Sequence, residues 1–289
     1  MKKFISPLIA SLILAQTTLA ADYKLLKPSY ILDVKQGELI EGQEVLISKD
    51  KIIAVGDHQA ISDNYDLSHG NIKTINLQGM TLMPGLIDAH SHILLHPYNE
   101  TSWNDQVLKE SRAERVTRAV GHLEATLDAG FTSLRDLGSE GAGYADVGIK
   151  RALDKGVIVG PRLIVAGRAI VATGSYGPKG FDLSHTLTLG AEPADGNDLI
   201  RVVRDQIGKG ADVIKIYADY RWGPNGEAAP TFSLEEIRTI VETARSSGRK
   251  VVAHSATDEG MRRSILGGVQ SIEHGDAGTL ETFELMKKH

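Results

Sequence analysis

The sequence predicts an α/β protein: a TIM-type (β/α) barrel preceded by a small β-sandwich domain. From residue 83 onward, apolar strands alternate with segments of helical periodicity, about six strand-then-helix units in all. Strands that are apolar on both faces indicate a parallel sheet covered by helices, either closed as a barrel or left open and doubly wound. No GxGxxG turn follows the first strand, which disfavours a dinucleotide-binding open sheet and favours the barrel.

Residues 1–20, MKKFISPLIASLILAQTTLA, have the pattern of a secretory signal peptide. Two lysines precede an apolar run that is too short to span a bilayer, and small residues follow at a plausible cleavage point. We therefore expect a periplasmic or secreted protein. No later stretch approaches a membrane span, so no membrane contact is expected after signal cleavage.

The composition excludes some classes of partner. The chain has no cysteine, so it forms no disulfide. Its formal charge of -5 becomes -7 once Lys2 and Lys3 are removed with the signal. A mildly acidic, mixed surface gives no reason to expect nucleic acid or an anionic membrane as a partner.

Residues 21–82 have the texture of short β-strands and turns, which predicts the small β domain. Apolar residues alternate on both sides of Lys49, Asp50 and Lys51, so these three residues should form a hairpin tip. We expect no helix of useful length in this part of the chain.

Residues 83–289 carry the strand and helix pattern of the barrel domain. Strands are predicted from residue 86 to about 92 and at 131–138, 161–170, 211–219, 250–256 and 271–275. Helices are predicted at 105–129, 144–155, about 199–207, 233–247, up to 266, and from 279 onward. Ser233 and Glu236 have the spacing of a capping box, and Gly130 can end the first long helix.

The segment MPGLIDAHSH (83–92) ends in two histidines separated by one residue. Residues i and i+2 of a strand project from the same face, so His90 and His92 could share one ion. Neutral imidazole is a good ligand for zinc and similar ions. A pair of surface histidines at a strand end is an equally good interpretation of this motif alone.

Further unusual residues fall at the ends of later strands, namely Lys215, His254 and His274. In a parallel barrel all strand ends of this polarity meet on one face, where active sites lie. The coincidence predicts a shared metal site formed by these residues together with His90 and His92. Lys215 either reaches to the rim or is desolvated, and a desolvated amine can react with carbon dioxide to give a metal-bridging carbamate.

Four motifs together resemble the amidohydrolase superfamily, in particular its imidazolonepropionase-like and prolidase-like secreted hydrolases. They are DAHSH (88–92), IKIY (214–217), AHS (253–255) and IEHG (272–275). The resemblance implies two divalent metal ions, commonly zinc, held by His90, His92, Lys215 as carbamate, His254 and His274. It also implies an amide substrate, with small peptides or N-acyl amino acids (Xaa-Pro or Xaa-Arg dipeptidase-like activity) ahead of cyclic amides.

The chain departs from the family pattern at one important point. Family members have two more barrel strands, and the eighth supplies an aspartate that ligates metal and carries the proton, whereas no residue here matches it. The sequence is therefore interpreted as an incomplete copy of a longer protein or as a natural truncation, with the base aspartate expected beyond His289. A non-catalytic metal-binding protein and a phosphotriesterase-like activity stay open as alternatives, and unpaired strand edges indicate that the chain could form a homo-oligomer.

Substrate contacts are expected beyond the strand ends. Tyr217 and Tyr220 follow Lys215 and could orient a substrate carbonyl or carboxylate, or simply cap the barrel rim. The glycine-rich segment 167–180 could form a substrate loop or a plain flexible connection. His96, a few residues after the HxH pair, either touches substrate or lies in an exposed loop.

Overall fold

The computed structural model describes residues 23–67, 72–182 and 184–289, so the predicted signal peptide lies outside the described residues. The chain divides into two compact units, Met1–Pro84 and Gly85–His289. Within the described residues, none of the helices combines the length and the apolar character that crossing a membrane requires.

The described part of the first unit is a single five-stranded sheet, so it does not show the second layer of the predicted sandwich. Its elements are β1 (Tyr23–Asp33), β2 (Glu38–Glu41), β3 (Glu44–Ser48), β4 (Lys51–Gly56), α1 (His58–Asn64) and β5 (Ile72–Leu82). β1 pairs antiparallel with β2 and β3 and parallel with β5. The predicted hairpin is confirmed, since β3 and β4 pair antiparallel on either side of Lys49 and Asp50.

The sequence predicts no helix of useful length in this unit, and the structure has one short helix, α1. Asp57 accepts a hydrogen bond from the backbone N–H of Ala60 at 2.7 Å, which is the N-cap that begins α1. Ile61 of this helix is buried with Leu25 and Leu46 in the core of the unit. The helix spans only seven residues, too few for apolar periodicity to show in the sequence.

The second unit alternates strands with helices, as the sequence predicts. Its elements are β6 (Leu86–Ser91), α2 (Trp103–Leu108), α3 (Arg112–Asp128), β7 (Phe131–Asp136), α4 (Ala145–Asp154), β8 (Arg162–Val165), β9 (Ile170–Val171), β10 (Glu192–Pro193), α5 (Asp198–Lys209), β11 (Val213–Tyr217), β12 (Asp219–Arg221), β13 (Ala228–Pro230), α6 (Leu234–Arg245), β14 (Lys250–Ser255), α7 (Asp258–Gly267), β15 (Ser271–His274) and α8 (Leu280–Lys288). The capping box of Ser233 and Glu236 is present at the start of α6.

Two parallel sheets form the centre of this unit. One has the order β6-β7-β8 and the other the order β10-β9-β11-β14-β15. The backbone N–H of Asp212, just before β11, donates to the carbonyl of Val165 in β8 at 2.8 Å and so connects the two sheets. The α/β class and its parallel strands are therefore confirmed, whereas strand pairing among the described residues does not show a closed barrel.

Two predicted elements are each divided in the structure. The predicted helix 105–129 is two helices, because Ser111 caps a new start by accepting from the N–H of Glu114 at 3.1 Å. The predicted strand 161–170 is β8 and β9, separated by a turn in which Gly167 has a φ of +72°. In both cases a local backbone signal overrides a continuous apolar pattern.

The main core of the unit lies between the β9-β11-β14 sheet and the helices α5 and α6. Its largest fully buried members are Phe232, Leu199, Ile170, Ile214, Ile216 and Ile237. Because this core fixes β11 and β14, it also fixes the backbone from which Lys215 and His254 extend.

A methyl group added at Gly267 should destabilise the packing of α7 on α6. A Cβ there would collide with Cγ2 of Ile237, so Gly267→Ala should lower the free energy of unfolding by about 1–3 kcal/mol. Gly148, which lies within α4 and has no atom within 4 Å of a Cβ position, is the matched control. Gly148→Ala should raise stability by about 0.5–1 kcal/mol because alanine favours the helix. Urea unfolding of both variants measures the two changes in the free energy of unfolding, which should have opposite signs. Equal changes in the two variants would contradict this packing.

Candidate metal centre

The structure brings the four histidines predicted from the strand ends into one cluster. The ring centres of His90 and His92 are 5.4 Å apart, those of His90 and His274 are 5.0 Å apart, and those of His254 and His274 are 4.5 Å apart. His90 and His274 lie at the ends of β6 and β15, which belong to different sheets. The cluster therefore forms where the two parallel sheets approach each other.

Hydrogen bonds orient the two histidines of the HxH pair. Nδ1 of His90 lies 3.1 Å from Oε2 of Glu273, and Nδ1 of His92 lies 2.9 Å from the carbonyl oxygen of Gly138. An imidazole that donates through Nδ1 keeps its Nε2 lone pair free, which is the arrangement found around metal-binding histidines. Both rings are thus prepared to act as ligands through Nε2.

Glu273 lies in the candidate site and was not predicted from the sequence. Burial raises the pKa of its carboxyl, but hydrogen bonds from His90 and Ser271 and the charges of Lys215 and Arg135 bring the pKa down to about 2. Its Oε1 is 2.7 Å from Nη2 of Arg135. Glu273 is therefore an anion that holds His90 on one side and Arg135 on the other.

Lys215 is buried at the centre of the second sheet. Its side chain is 1 % exposed, so it is desolvated and does not reach to the rim. Burial lowers its pKa to about 8, against the opposing charges of Glu273 and Glu140. An amine with a pKa near 8 has a neutral fraction close to neutral pH, which carbamate formation requires.

His254 is a neutral imidazole in this environment. Burial, followed by the charges of His274 and Lys215, lowers its pKa to about 3. The Tyr217 ring stacks on it, with ring centres 4.7 Å apart and planes 19° from parallel. A carboxylate oxygen of the buried Asp219 lies 3.6 Å from its Nε2. His274 has a φ of +77°, so the chain turns sharply at the end of β15.

A buried carboxylate organises the aromatic side chains beside the cluster. Glu140 is 2 % exposed and accepts from the Tyr176 hydroxyl at 2.7 Å, the Trp103 indole N–H at 2.9 Å and the Tyr217 hydroxyl at 3.3 Å. The hydroxyl of Tyr217 is therefore directed at Glu140. Tyr220 is half-buried, with its ring centre 5.9 Å from that of His254. No sequence motif or residue spacing indicated that Glu140 belongs to the candidate site.

His96 makes its contacts outside the imidazole cluster. Its ring pairs with His122 at 5.5 Å between ring centres, and its Nε2 lies 2.6 Å from Glu100. Of the sequence-predicted residues, the structure thus groups His90, His92, His254 and His274 around the buried Lys215, with Tyr217 and Tyr220 beside them. It gives His96 other partners.

The chemistry of the clustered side chains fits a divalent ion of the zinc type. Neutral imidazoles with their second nitrogen hydrogen-bonded are the donors that zinc prefers. Over residues 23–67, 72–182 and 184–289, no three histidine, aspartate or glutamate side chains already surround one common point.

An α/β unit that collects histidines and a buried lysine at the ends of parallel strands is a site typical of hydrolytic enzymes. The chain belongs to the amidohydrolase family, whose model matches residues 81–288. This confirms the resemblance read from the four strand-end motifs.

Three relatives illustrate the match. Ochratoxinase from Aspergillus niger is 33% identical over 273 residues, which cover 87% of this chain and 54% of that protein. Imidazolonepropionase from Geobacillus thermodenitrificans is 30% identical over 92 residues, covering 32% of this chain and 22% of that protein. The crystal structure of a prolidase complexed with N-methylphosphonate-L-proline superposes with a TM-score of 0.77 at 31% identity, covering 92% of this chain and 64% of that one. The chain thus spans about half the length of this ochratoxinase.

Proposed function

We propose that the protein carrying this chain is a metal-dependent amidohydrolase that cleaves the C–N amide bond of small peptides or N-acyl amino acids. The observation that carries the proposal is the convergence of four imidazoles beside a buried lysine at the ends of parallel strands. We further propose that the parallel strands of the second unit are part of a TIM-type barrel, since strand ends of one polarity then meet on one face.

In this proposal His90, His92, His254 and His274 hold two divalent ions, zinc being the ion that suits the donors, and Lys215 joins them as a carbamate. When bound, such ions polarise an amide carbonyl and lower the pKa of the attacking water. Burial keeps the Lys215 amine partly neutral and so reactive toward carbon dioxide. Glu273 and the Gly138 carbonyl fix the rings of the HxH pair by hydrogen bonds.

The aromatic side chains supply the wall of the proposed substrate site. Glu140 accepts hydrogen bonds from the hydroxyls of Tyr176 and Tyr217, which fixes the positions of both rings. Tyr220 stands against both rings, with ring centres 4.9 Å and 5.8 Å away. An apolar wall beside the imidazoles suits a compact ring such as that of proline, which supports Xaa-Pro substrates, with Xaa-Arg substrates as the neighbouring class.

We propose a periplasmic or secreted location, based on the pattern of residues 1–20. A small peptide or amide substrate is consistent with that location. The structural likeness to a prolidase, which covers 92% of this chain at 31% identity, supports peptides as the substrate class.

Hydrolysis of a defined substrate panel tests this function. The native protein, supplied with Zn²⁺ and bicarbonate, should hydrolyse Xaa-Pro or Xaa-Arg dipeptides or N-acyl amino acids. A strong chelator should abolish the activity, and added Zn²⁺ should restore it. If the protein opens only cyclic amides, the proposed peptide substrates are wrong and cyclic amides take their place. Hydrolysis that survives complete metal removal would refute the metal-dependent mechanism.

A further inference from the structure

A second pair of histidines lies outside the imidazole cluster, between the loop that follows β6 and helix α3. Nδ1 of His96 and Nε2 of His122 face each other at 3.4 Å. The two ring planes differ by only 13°. The pair borders an open cavity of about 670 Å³, which Pro97, Tyr98 and Thr126 also line.

The backbone of His96 is held from both sides by one buried side chain. Gln106 is fully buried, accepts from the N–H of His96 at 2.7 Å and donates to its carbonyl at 2.8 Å. The far ring nitrogen of His96, Nε2, lies 2.6 Å from Oε2 of Glu100. This carboxylate accepts from the Nε2–H of His96, and in the neutral ring Nδ1 then has a free lone pair.

His122 is fixed in the complementary way. It lies on α3, where the Thr126 hydroxyl donates to its carbonyl at 2.7 Å, and its ring hydrogen-bonds the Ile93 backbone carbonyl. In the neutral ring, a proton on the nitrogen that meets this carbonyl leaves the Nε2 lone pair facing Nδ1 of His96. Burial and the neighbouring His96 lower the pKa of His122, which favours its neutral form.

When both rings are neutral, two lone pairs face each other, and either a proton shared between the nitrogens or a metal ion bound by both removes the repulsion. In a tetrahedral zinc site, nitrogen ligands about 2.0–2.1 Å from the ion stand roughly 3.3–3.4 Å from each other. The observed separation of 3.4 Å matches that spacing. Moreover, each ring has its far nitrogen on a carboxylate or a backbone carbonyl, the support that metal-binding histidines receive.

We propose that His96 and His122 form an accessory zinc site, separate from the imidazole cluster, with water in the remaining coordination positions. No third histidine or carboxylate completes the group among the residues that the structure describes, so the site has room for water from the open cavity. Its occupancy ties the loop after β6 to α3. The proposal does not depend on the proposed hydrolysis.

Zinc titration by calorimetry tests the accessory site in a chain whose main cluster lacks the two histidines of the HxH pair. The variant H90A/H92A should bind one Zn²⁺ ion, and adding His122→Ala should weaken that binding at least tenfold. Zn²⁺ should also raise the melting temperature of the first variant and leave that of the second unchanged. The matched control adds His185→Ala, an exposed loop histidine, and should bind like H90A/H92A.

A second probe and a second variant keep the test decisive. Cu²⁺ bound to H90A/H92A should show two nitrogen ligands by electron paramagnetic resonance, and His122→Gln serves if the alanine variant does not fold. Equal Zn²⁺ affinity with and without His122, or no Zn²⁺ binding by folded H90A/H92A, overturns the accessory site. Failure of the main cluster has a different signature, namely the same metal content in the parent chain and in H90A/H92A.

Discussion

Replacing His90 and His92 together by alanine is expected to abolish metal-dependent hydrolysis, with kcat/KM falling at least about a thousandfold, or about 4 kcal/mol. The two rings are proposed ligands, and their Nδ1 atoms are held by Glu273 and the Gly138 carbonyl. Their loss removes two of the five proposed ligands at one strand end. Steady-state kinetics on a peptide substrate measures the effect.

The fold should survive this double substitution. Glu273 keeps its ion pair with Arg135 at 2.7 Å when His90 is removed, so no buried charge is left alone. Circular dichroism should match the parent chain. His185→Ala, the exposed control, should leave kcat/KM within about twofold. Retained hydrolysis in a folded H90A/H92A chain would place the reaction elsewhere.

Lys215→Met is expected to separate function from stability. Methionine fills nearly the same volume as the buried lysine but cannot form a carbamate, so activity should fall at least about a thousandfold. The unfolding free energy should be unchanged or higher, because a buried amine with a pKa lowered to about 8 no longer has to be accommodated. Kinetics and urea unfolding on one preparation measure both effects.

A surface lysine provides the matched control for this substitution. Lys209 lies at the end of α5 and pairs with Asp205 at 2.6 Å, one turn earlier in the helix. Lys209→Met should cost at most about 0.5 kcal/mol and should not change activity. A Lys215→Met chain with parental activity would show that this amine has no part in the reaction.

Much of the second unit follows from the sequence because its signals are local and repeated. Apolar strands such as VIKIY and KVVAHS cannot be exposed on either face, so a parallel sheet with covering helices is the arrangement that buries them. The sequence also predicts that the four histidines lie together, because parallel strands align their ends. Lys215 stood out because a lysine within an apolar strand needs an explanation.

The residues that the sequence did not reveal depend on contacts between distant segments. Glu273 acts because β15 approaches β6, which brings its carboxylate to His90. Glu140 gathers Trp103 and Tyr176, which lie 37 and 36 residues from it along the chain. The periodicity of the sequence does not predict contacts between such distant segments. The division of the first long helix depends on the cap that Ser111 supplies to the N–H of Glu114, a local contact that the apolar pattern of the segment does not show.

Metal content is the measurement that tests the central claim most directly. Plasma mass spectrometry on the purified chain, prepared in parallel with H90A/H92A, counts the ions that the imidazole cluster holds. The account predicts about two ions per parent chain beyond those kept by the double variant. A folded parent chain with no more metal than H90A/H92A would contradict the assignment of this cluster as a metal centre.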